Sequence, residues 1–286
     1  MTESSSTAVQ PEEYISARRP RFSLFFRSYG VDIEVRANSD EAIDAIRSML
    51  PEVLPGQYEI TPETQVKHRF DVRWNKSGRD SAYRNGEAIC LRSTRQMMLE
   101  TLGSRIRVTV AEFALDHVFV HSGCVCWKGK AIIFPAASFR GKSALTAELV
   151  RRGAVYYSDE YAVLDRDGFV HPFAKKLSIR GEIGKYTQVE HPVEDFGGVA
   201  GTERAEIALV LLTKYKEYAR WRPKALSPAE AIMGIMEHTI PIRHDPRFAL
   251  RVLSKVAAGA VTIRTNRGEA AKFADTIIEY FESTIK

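Results

Sequence analysis

The sequence predicts an α/β protein in two parts, a small α+β module followed by a larger α/β domain. In the second half, the apolar run at 131–134 leads into a loop that ends in Gly141-Lys142-Ser143, and a helical pattern starts at Ala144. Strand, loop and helix in that order are the context of a phosphate-binding loop. The first hundred residues instead alternate apolar and polar positions in several short runs around one amphipathic helix, which is typical of an α+β module.

The N-terminal part carries no cluster of catalytic side chains. Residues 1–20, rich in Ser, Thr, Glu and Pro at their start, predict a disordered tail. The module at 21–116 contains a helix that Ser39 caps and that we expect to end at Pro51. A long helix at about 94–115 closes it. We interpret this module as structural or as a recognition element for a second substrate.

The loop after residue 134 has the chemistry to hold phosphate. Its backbone N–H groups and those at the helix start converge on one point, and the helix dipole favours an anion there. Lys142 can reach the outer phosphates of a nucleotide, and the Ser143 hydroxyl can bind Mg²⁺. Ala136 stands where the motif usually has glycine, which requires a negative φ at that residue. A plain strand-to-helix turn is the alternative. The residues expected to contact the nucleotide are Ala137, Ser138, Phe139, Arg140, Gly141, Lys142, Ser143 and Ala144.

An acidic pair follows one helix and one strand later. Asp159 and Glu160 end the β-rich run at 154–157. A right-handed strand–helix–strand crossover places two parallel strands near each other in one sheet, with their carboxyl ends facing one crevice. Carboxylates there can bind Mg²⁺ with Ser143 or accept a proton from an attacking hydroxyl. The alternative is a capping or turn pair in a surface loop.

Two further motifs make local predictions in the second half. Asp167-Gly168 lies between two apolar runs and predicts a hairpin turn. Ser227 and Glu230 form a capping-box pattern, with Pro228 at the first helical position.

Composition excludes several classes of protein. The 286 residues are 44% hydrophobic and 27% charged, with a net charge of +5 that is too small and scattered to indicate nucleic-acid binding. The cysteines, Cys90, Cys124 and Cys126, have neither disulfide nor zinc spacing, and the last two point to one strand face, as expected of core residues. No apolar segment is long enough for a membrane span. We therefore expect a cytoplasmic enzyme.

The segment around the loop resembles the catalytic domain of the HPr kinase/phosphorylase family. The resemblance is carried by His121-Ser122-Gly123, by the run at 134–165 with its acidic pair, and by Ser178-Ile179-Arg180-Gly181. It covers about 117–185 well and the rest of the C-terminal half loosely. It implies a P-loop-containing HPr-kinase/PEP-carboxykinase-like domain at 117–286. Three positions depart from the family pattern: Ala136, Glu160 and Ser178.

The resemblance also implies an activity. The chain is expected to be an ATP- and Mg²⁺-dependent kinase that transfers the γ-phosphate to a hydroxyl. The acceptor that the resemblance favours is a serine of a protein or peptide, and precursor peptides are one such class. Alternatives are a small-molecule kinase on the same fold and a catalytically silent nucleotide-binding regulator. The expected partners are a nucleotide and a protein or peptide acceptor, without nucleic acid or membrane; a homo-oligomer is left open.

Basic residues and one histidine complete the predicted site. Lys175, Lys176, Arg180 and Lys185 follow the acidic pair, and one of them can offset charge on the transferring group. A solvated basic face is the alternative, and the resemblance favours Arg180. It also places His121 near phosphate or acceptor, although a lone histidine at a strand end is often a structural hydrogen-bonding residue.

Overall fold

The computed structural model describes residues 21–137, 141–180 and 188–285. These residues form a mixed α/β structure that divides into two compact units. The first unit comprises the described residues up to Arg27, together with Asp32–Leu50 and Glu59–Ile106. The second comprises Ser28–Val31, Pro51–Tyr58 and the chain from Arg107 onward. No helix in the described ranges combines the length and the apolar character needed to span a membrane.

The first unit is built on one sheet with the strand order β3-β1-β2-β4-β5-β6. Its strands are β1 (Phe22–Ser28), β2 (Val31–Ala37), β3 (Glu59–Ile60), β4 (His68–Arg73), β5 (Asp80–Arg84) and β6 (Glu87–Ser93). Helix α1 (Asp40–Val53) follows β2. Pro51 therefore does not end this helix, as the sequence had suggested. The helix continues for two residues past Pro51, even though proline has no N–H to donate to the carbonyl four residues earlier.

The second unit contains a sheet with the order β11-β10-β7-β8-β14-β16-β15, and β9 pairs with β7 beside this path. The main strands are β7 (His117–Trp127), β8 (Lys130–Pro135), β9 (Val155–Ser158), β10 (Tyr161–Asp165), β11 (Val170–His171), β14 (Glu206–Tyr215), β15 (Lys224–Ala225) and β16 (Val261–Arg267). A separate pair is formed by β12 (Leu177–Arg180) and β13 (Gln188–His191). Because β8, β14 and β16 are parallel, their carboxyl ends share one edge.

Helices cover both faces of this sheet. They are α3 (Lys142–Arg151), α4 (Pro228–Met236), α5 (Pro246–Gly259) and α6 (Ala270–Thr284), and α2 (Arg95–Phe113) adds its last part to the second unit. Successive residues of β14 alternate between two cores: Leu209 and Leu211 lie with side chains of α3 and α6, and Val210 and Leu212 with those of α4 and α5. A strand buried on both faces needs continuous apolar sequence, which the run at 208–212 supplies.

Strand β7 lies between the two strands that frame the predicted site. The crossover from β8 through α3 leads to β9, which runs in the same direction as β8 but is separated from it by β7. Pro135 at the end of β8 is opposite Ser122, and Ser158 at the end of β9 is opposite Cys124. The carboxyl ends of β8 and β9 therefore lie opposite residues only two positions apart on β7. This brings the loop and the acidic pair together.

Candidate functional site

Lys142 closes the start of the loop in this structure. It is the first residue of α3, and its Nζ donates hydrogen bonds to the carbonyls of Ala136, at 3.0 Å, and Ala137, at 3.1 Å. Burial lowers the pKa of the Lys142 ammonium to about 8. Since φ is not positive at Ala136, alanine is accommodated at that position, as the sequence required. The ammonium therefore lies against the first two residues that follow β8.

Asp159 accepts a hydrogen bond from Ser143, the residue that follows Lys142. The Ser143 hydroxyl donates to Asp159 Oδ2 at 2.7 Å, and the Ser178 N–H donates to the same oxygen at 3.2 Å. Tyr156 places its hydroxyl 3.2 Å from Oδ1, and Lys175 Nζ lies 3.5 Å away. Asp159 is only 4% exposed. A buried carboxylate is stable only with such partners, so this cluster fixes the Ser143 hydroxyl in place.

Glu160 has different surroundings from its neighbour. Its carboxylate lies 3.2 Å from Arg107 Nε of α2 and 3.8 Å from Lys175 Nζ, and its side chain is 21% exposed. The two acids therefore share Lys175, but Glu160 alone keeps access to solvent. Asp159 is coupled to Ser143 at the start of α3, whereas Glu160 is paired with cations and partly exposed.

Arg267 is a site residue that the sequence did not single out. It ends β16, is 3% exposed, and donates from Nη2 to the carbonyl of Gly141 at 2.8 Å. Burial lowers the pKa of its guanidinium. Gly141 has φ 77°, and a Cβ atom there would lie 2.6 Å from Arg267 Nη2. Glycine at position 141 is therefore required both by its left-handed backbone and by the guanidinium packed against it.

His121 lies next to the loop but is held through its backbone. Its N–H donates to the carbonyl of His238 at 2.8 Å, and its own carbonyl accepts from Ala136 N at 3.2 Å. Burial lowers the pKa of the imidazole to about 4, and the nearby Lys142 and His238 act in the same direction. The ring is therefore neutral at pH 7 and supplies no positive charge to a phosphate.

The remaining predicted residues fall into three groups. Lys175 lies within the acidic cluster, whereas Lys176 turns away to Glu52 at 2.7 Å and is the solvated cation that the alternative reading described. Ala144 lies in the first turn of α3. Ser138, Phe139, Arg140, Gly181, Lys185 and the Arg180 side chain lie outside the described residues.

Arg107 and Arg267 differ in how far a sequence signal could have revealed them. Arg267 ends a strand parallel to β8, and residues at carboxyl ends of parallel strands line the ligand crevice. Arg107 belongs to a helix 53 positions before Glu160, and no local pattern links the two.

The donor set is compatible with Mg²⁺ bound together with a nucleotide. Among the described residues, no group of three or more His, Cys, Asp or Glu side chains could hold a metal by itself. A phosphate-loop magnesium site does not need one, because phosphate oxygens and water complete the coordination. Ser143 Oγ and Asp159 Oδ2 are adjacent hard oxygen atoms of the kind Mg²⁺ prefers.

Comparison with known proteins does not assign the chain to a family, since no protein-family model matches it and no curated protein is significantly similar to it.

Proposed function

We propose that this protein is an ATP-dependent kinase with an HPr-kinase-like, P-loop-containing catalytic unit, which transfers the γ-phosphate to a serine hydroxyl of a protein or peptide. The observation that carries the proposal is the hydrogen bond of 2.7 Å from Ser143 to Asp159. It couples the hydroxyl after the loop lysine to the acid at the end of the next strand. A plain strand-to-helix turn has no need of this buried coupling.

In the proposed mechanism, each described side chain has one task. Lys142 leaves the two loop carbonyls and donates to the β- and γ-phosphates, while the start of α3 adds its N–H groups. Ser143 and Asp159 would hold Mg²⁺. A metal held by these two residues would supply positive charge to offset that of the phosphates.

Glu160 is the better candidate to receive the acceptor proton. Its side chain is partly exposed, whereas Asp159 is buried and engaged by Ser143. The acceptor oxygen attacks the γ-phosphorus, the bond from that phosphorus to the bridging oxygen breaks, ADP leaves, and the hydroxyl proton passes to Glu160. Lys175, and Arg180 by resemblance, offset the charge that develops on the transferring group.

The test follows the label from γ-phosphate-labelled ATP. The full chain is incubated with Mg²⁺ and an extract of its native host, and polypeptide and small-molecule fractions are separated. We expect label in polypeptides. Lys142→Ala should weaken Mg-ATP binding by about tenfold to a hundredfold, because a charge-assisted hydrogen bond is lost. Lys272→Ala, an exposed lysine of α6, is the matched control and should bind ATP as the wild type does.

Each other outcome has a definite meaning. Equal ATP affinity in the wild type and Lys142→Ala would reject the phosphate-loop assignment. Label found only in a small metabolite would favour the small-molecule kinase. Tight Mg-ATP binding without any transfer or hydrolysis would favour the silent regulator.

A further inference from the structure

A second feature lies at the same sheet edge as the loop. It is an open cleft of about 790 Å³ at the carboxyl ends of β14 and β16, and it reaches Pro135 at the end of β8. His238, whose carbonyl accepts from His121, also lines it. His121 in turn accepts from Ala136 N at 3.2 Å, so these backbone hydrogen bonds join the wall of the cleft to the start of the loop.

The charge of this cleft is strongly one-sided. We call its cations the cleft basic residues: Lys214, Lys216, Arg220, Arg222 and Arg264. Glu237 is the only acid among the lining residues that the structure describes. Within the described part of the chain, none of the five cations forms a salt bridge to a carboxylate, although Arg107, Arg152 and Lys175 do elsewhere in this unit.

A magnesium nucleotide alone does not account for these charges. Lys142 and the start of α3 are placed to meet the outer phosphates, and Mg²⁺ would neutralise more of the same charge. The five cleft basic residues at the same edge would remain available to bind another anion. Arginine and lysine side chains that project into an open cleft are suited to several carboxylates spaced along an extended chain.

We propose that this cleft binds an acidic segment of the polypeptide acceptor, next to the serine that receives the phosphate. The inference rests on the proposed function and names the substrate class for the same site. The five cation side chains are exposed, so an extended peptide can reach all of them. A site for one small phosphorylated molecule would be expected to enclose most of its ligand.

The experiment measures peptide binding by fluorescence anisotropy. The full chain is saturated with Mg²⁺ and a non-hydrolysable ATP analogue. The probes are short labelled peptides with one central serine flanked by glutamates, by glutamines or by lysines. We expect only the glutamate peptide to bind, and its affinity to fall as salt is raised.

Three variants make the test specific. Arg220→Gln with Arg222→Gln should weaken the glutamate peptide by about tenfold and leave the ATP analogue unaffected. Arg247→Gln with Arg251→Gln removes the same charge from exposed positions of α5, outside the cleft, and should change neither ligand. Glu237→Gln should instead strengthen binding of the glutamate peptide, which a merely structural role of the cleft would not do.

Competition identifies the kind of anion. Inorganic tripolyphosphate and a single-stranded DNA oligonucleotide are added with the ATP analogue still in place. If either binds with dependence on Arg220 and Arg222 while the glutamate peptide does not, the peptide proposal is overturned. It is also overturned if both arginine double variants behave alike. If Lys142→Ala abolishes phosphorylation while the cleft variants bind all three peptides equally, the kinase proposal stands and this inference falls.

Discussion

The imidazole of His121 shows how burial changes the chemistry of a single residue in this site. The backbone of His121 joins β7 to the loop and to His238, while its ring is partly buried near Lys142. A second positive charge beside that ammonium is unfavourable, so the ring stays neutral until the solution is strongly acidic. Its contribution to the site at neutral pH is therefore positional.

This neutrality predicts a dependence of stability on pH. The pKa of His121 is about 4 in the folded protein, against 6.5 in the unfolded chain. Between these values the unfolded state binds more protons than the folded state. The free energy of unfolding is therefore highest above about pH 6.5, with respect to this residue, and decreases as pH falls towards 4. The loss is up to about 3 kcal/mol in the free energy of unfolding.

Denaturant titrations of the wild type and His121→Gln at several pH values check this prediction. At pH 7.5 both side chains are neutral, so the difference between the two proteins there reports packing alone. The wild type should then lose more stability than the variant on going to pH 4.5. Parallel curves for the two proteins would show that His121 titrates normally.

The sequence revealed the site residues whose contacts are close along the chain, and it did not reveal those whose contacts are distant. Lys142 and Ser143 could be predicted because a loop and the first turn of the following helix are one local unit. Their coupling to Asp159 followed from the strand-helix-strand order. Arg107 could not be found, because its contact with Glu160 depends on tertiary packing.

At the scale of elements, the end of β16 contacts the residue that precedes α3. Arg267 donates to the carbonyl of Gly141, immediately before the lysine, and is itself buried. This hydrogen bond therefore ties the residue before α3 to a strand that is not its neighbour in sequence. A tight αL residue under a buried guanidinium leaves little room for any side chain.

A comparison of Gly141→Ala with Gly129→Ala separates the cost of a left-handed backbone from the cost of displacing Arg267. Both glycines have positive φ, 77° and 81°, but a Cβ at Gly129 would meet nothing within 4 Å. Gly129→Ala should therefore lose only about 1 kcal/mol of stability, the cost of the left-handed backbone. Gly141→Ala should lose about 2 kcal/mol more, because Arg267 must leave the Gly141 carbonyl.

Thermal or denaturant unfolding measures the stabilities, and calorimetry measures Mg-ATP affinity. Only the Gly141 variant should bind ATP more weakly. Equal losses in the two variants would mean that Arg267 moves aside freely and does not hold the loop.

Short motifs predicted individual elements well. The capping box at Ser227 and Glu230 forms with both of its hydrogen bonds, and Gly168 has the positive φ of a hairpin turn between β10 and β11. The position of β7 between β8 and β9 was not foreseen. Pairing partners of a strand lie far away in sequence, and apolar periodicity does not record which strands become neighbours.

At the scale of the whole molecule, the second unit is not continuous in sequence. The sequence places a boundary between residues 116 and 117, whereas the main segment of this unit begins at Arg107 and two earlier segments also belong to it. Tyr29, from one of these segments, packs edge-on against His117 at 4.9 Å and Phe119 at 5.0 Å between ring centroids. Arg107 supplies the cation that faces Glu160.

A chain that begins at His117 lacks both Tyr29 and Arg107. It is therefore expected to lose cooperative unfolding. Circular dichroism during denaturation provides the measurement. A second variant keeps the prediction testable if the short chain is insoluble: Tyr29→Ala in the full chain should cost about 3 kcal/mol, the usual loss for a buried aromatic side chain. A short chain that unfolds at the wild-type midpoint would show that the early segments are dispensable.

The pairing of strand β7 has a consequence for local opening of the sheet. Residues 117–121 pair with β10 and residues 124–126 with β9 along one edge, and residues 122–127 pair with β8 along the other. Amide protons in such a strand exchange with solvent only when the sheet itself opens. Because the ends of β8 and β9 are both positioned by pairing with this one strand, the spacing between the loop and the acidic pair is set by the sheet and not by the length of contact along α3.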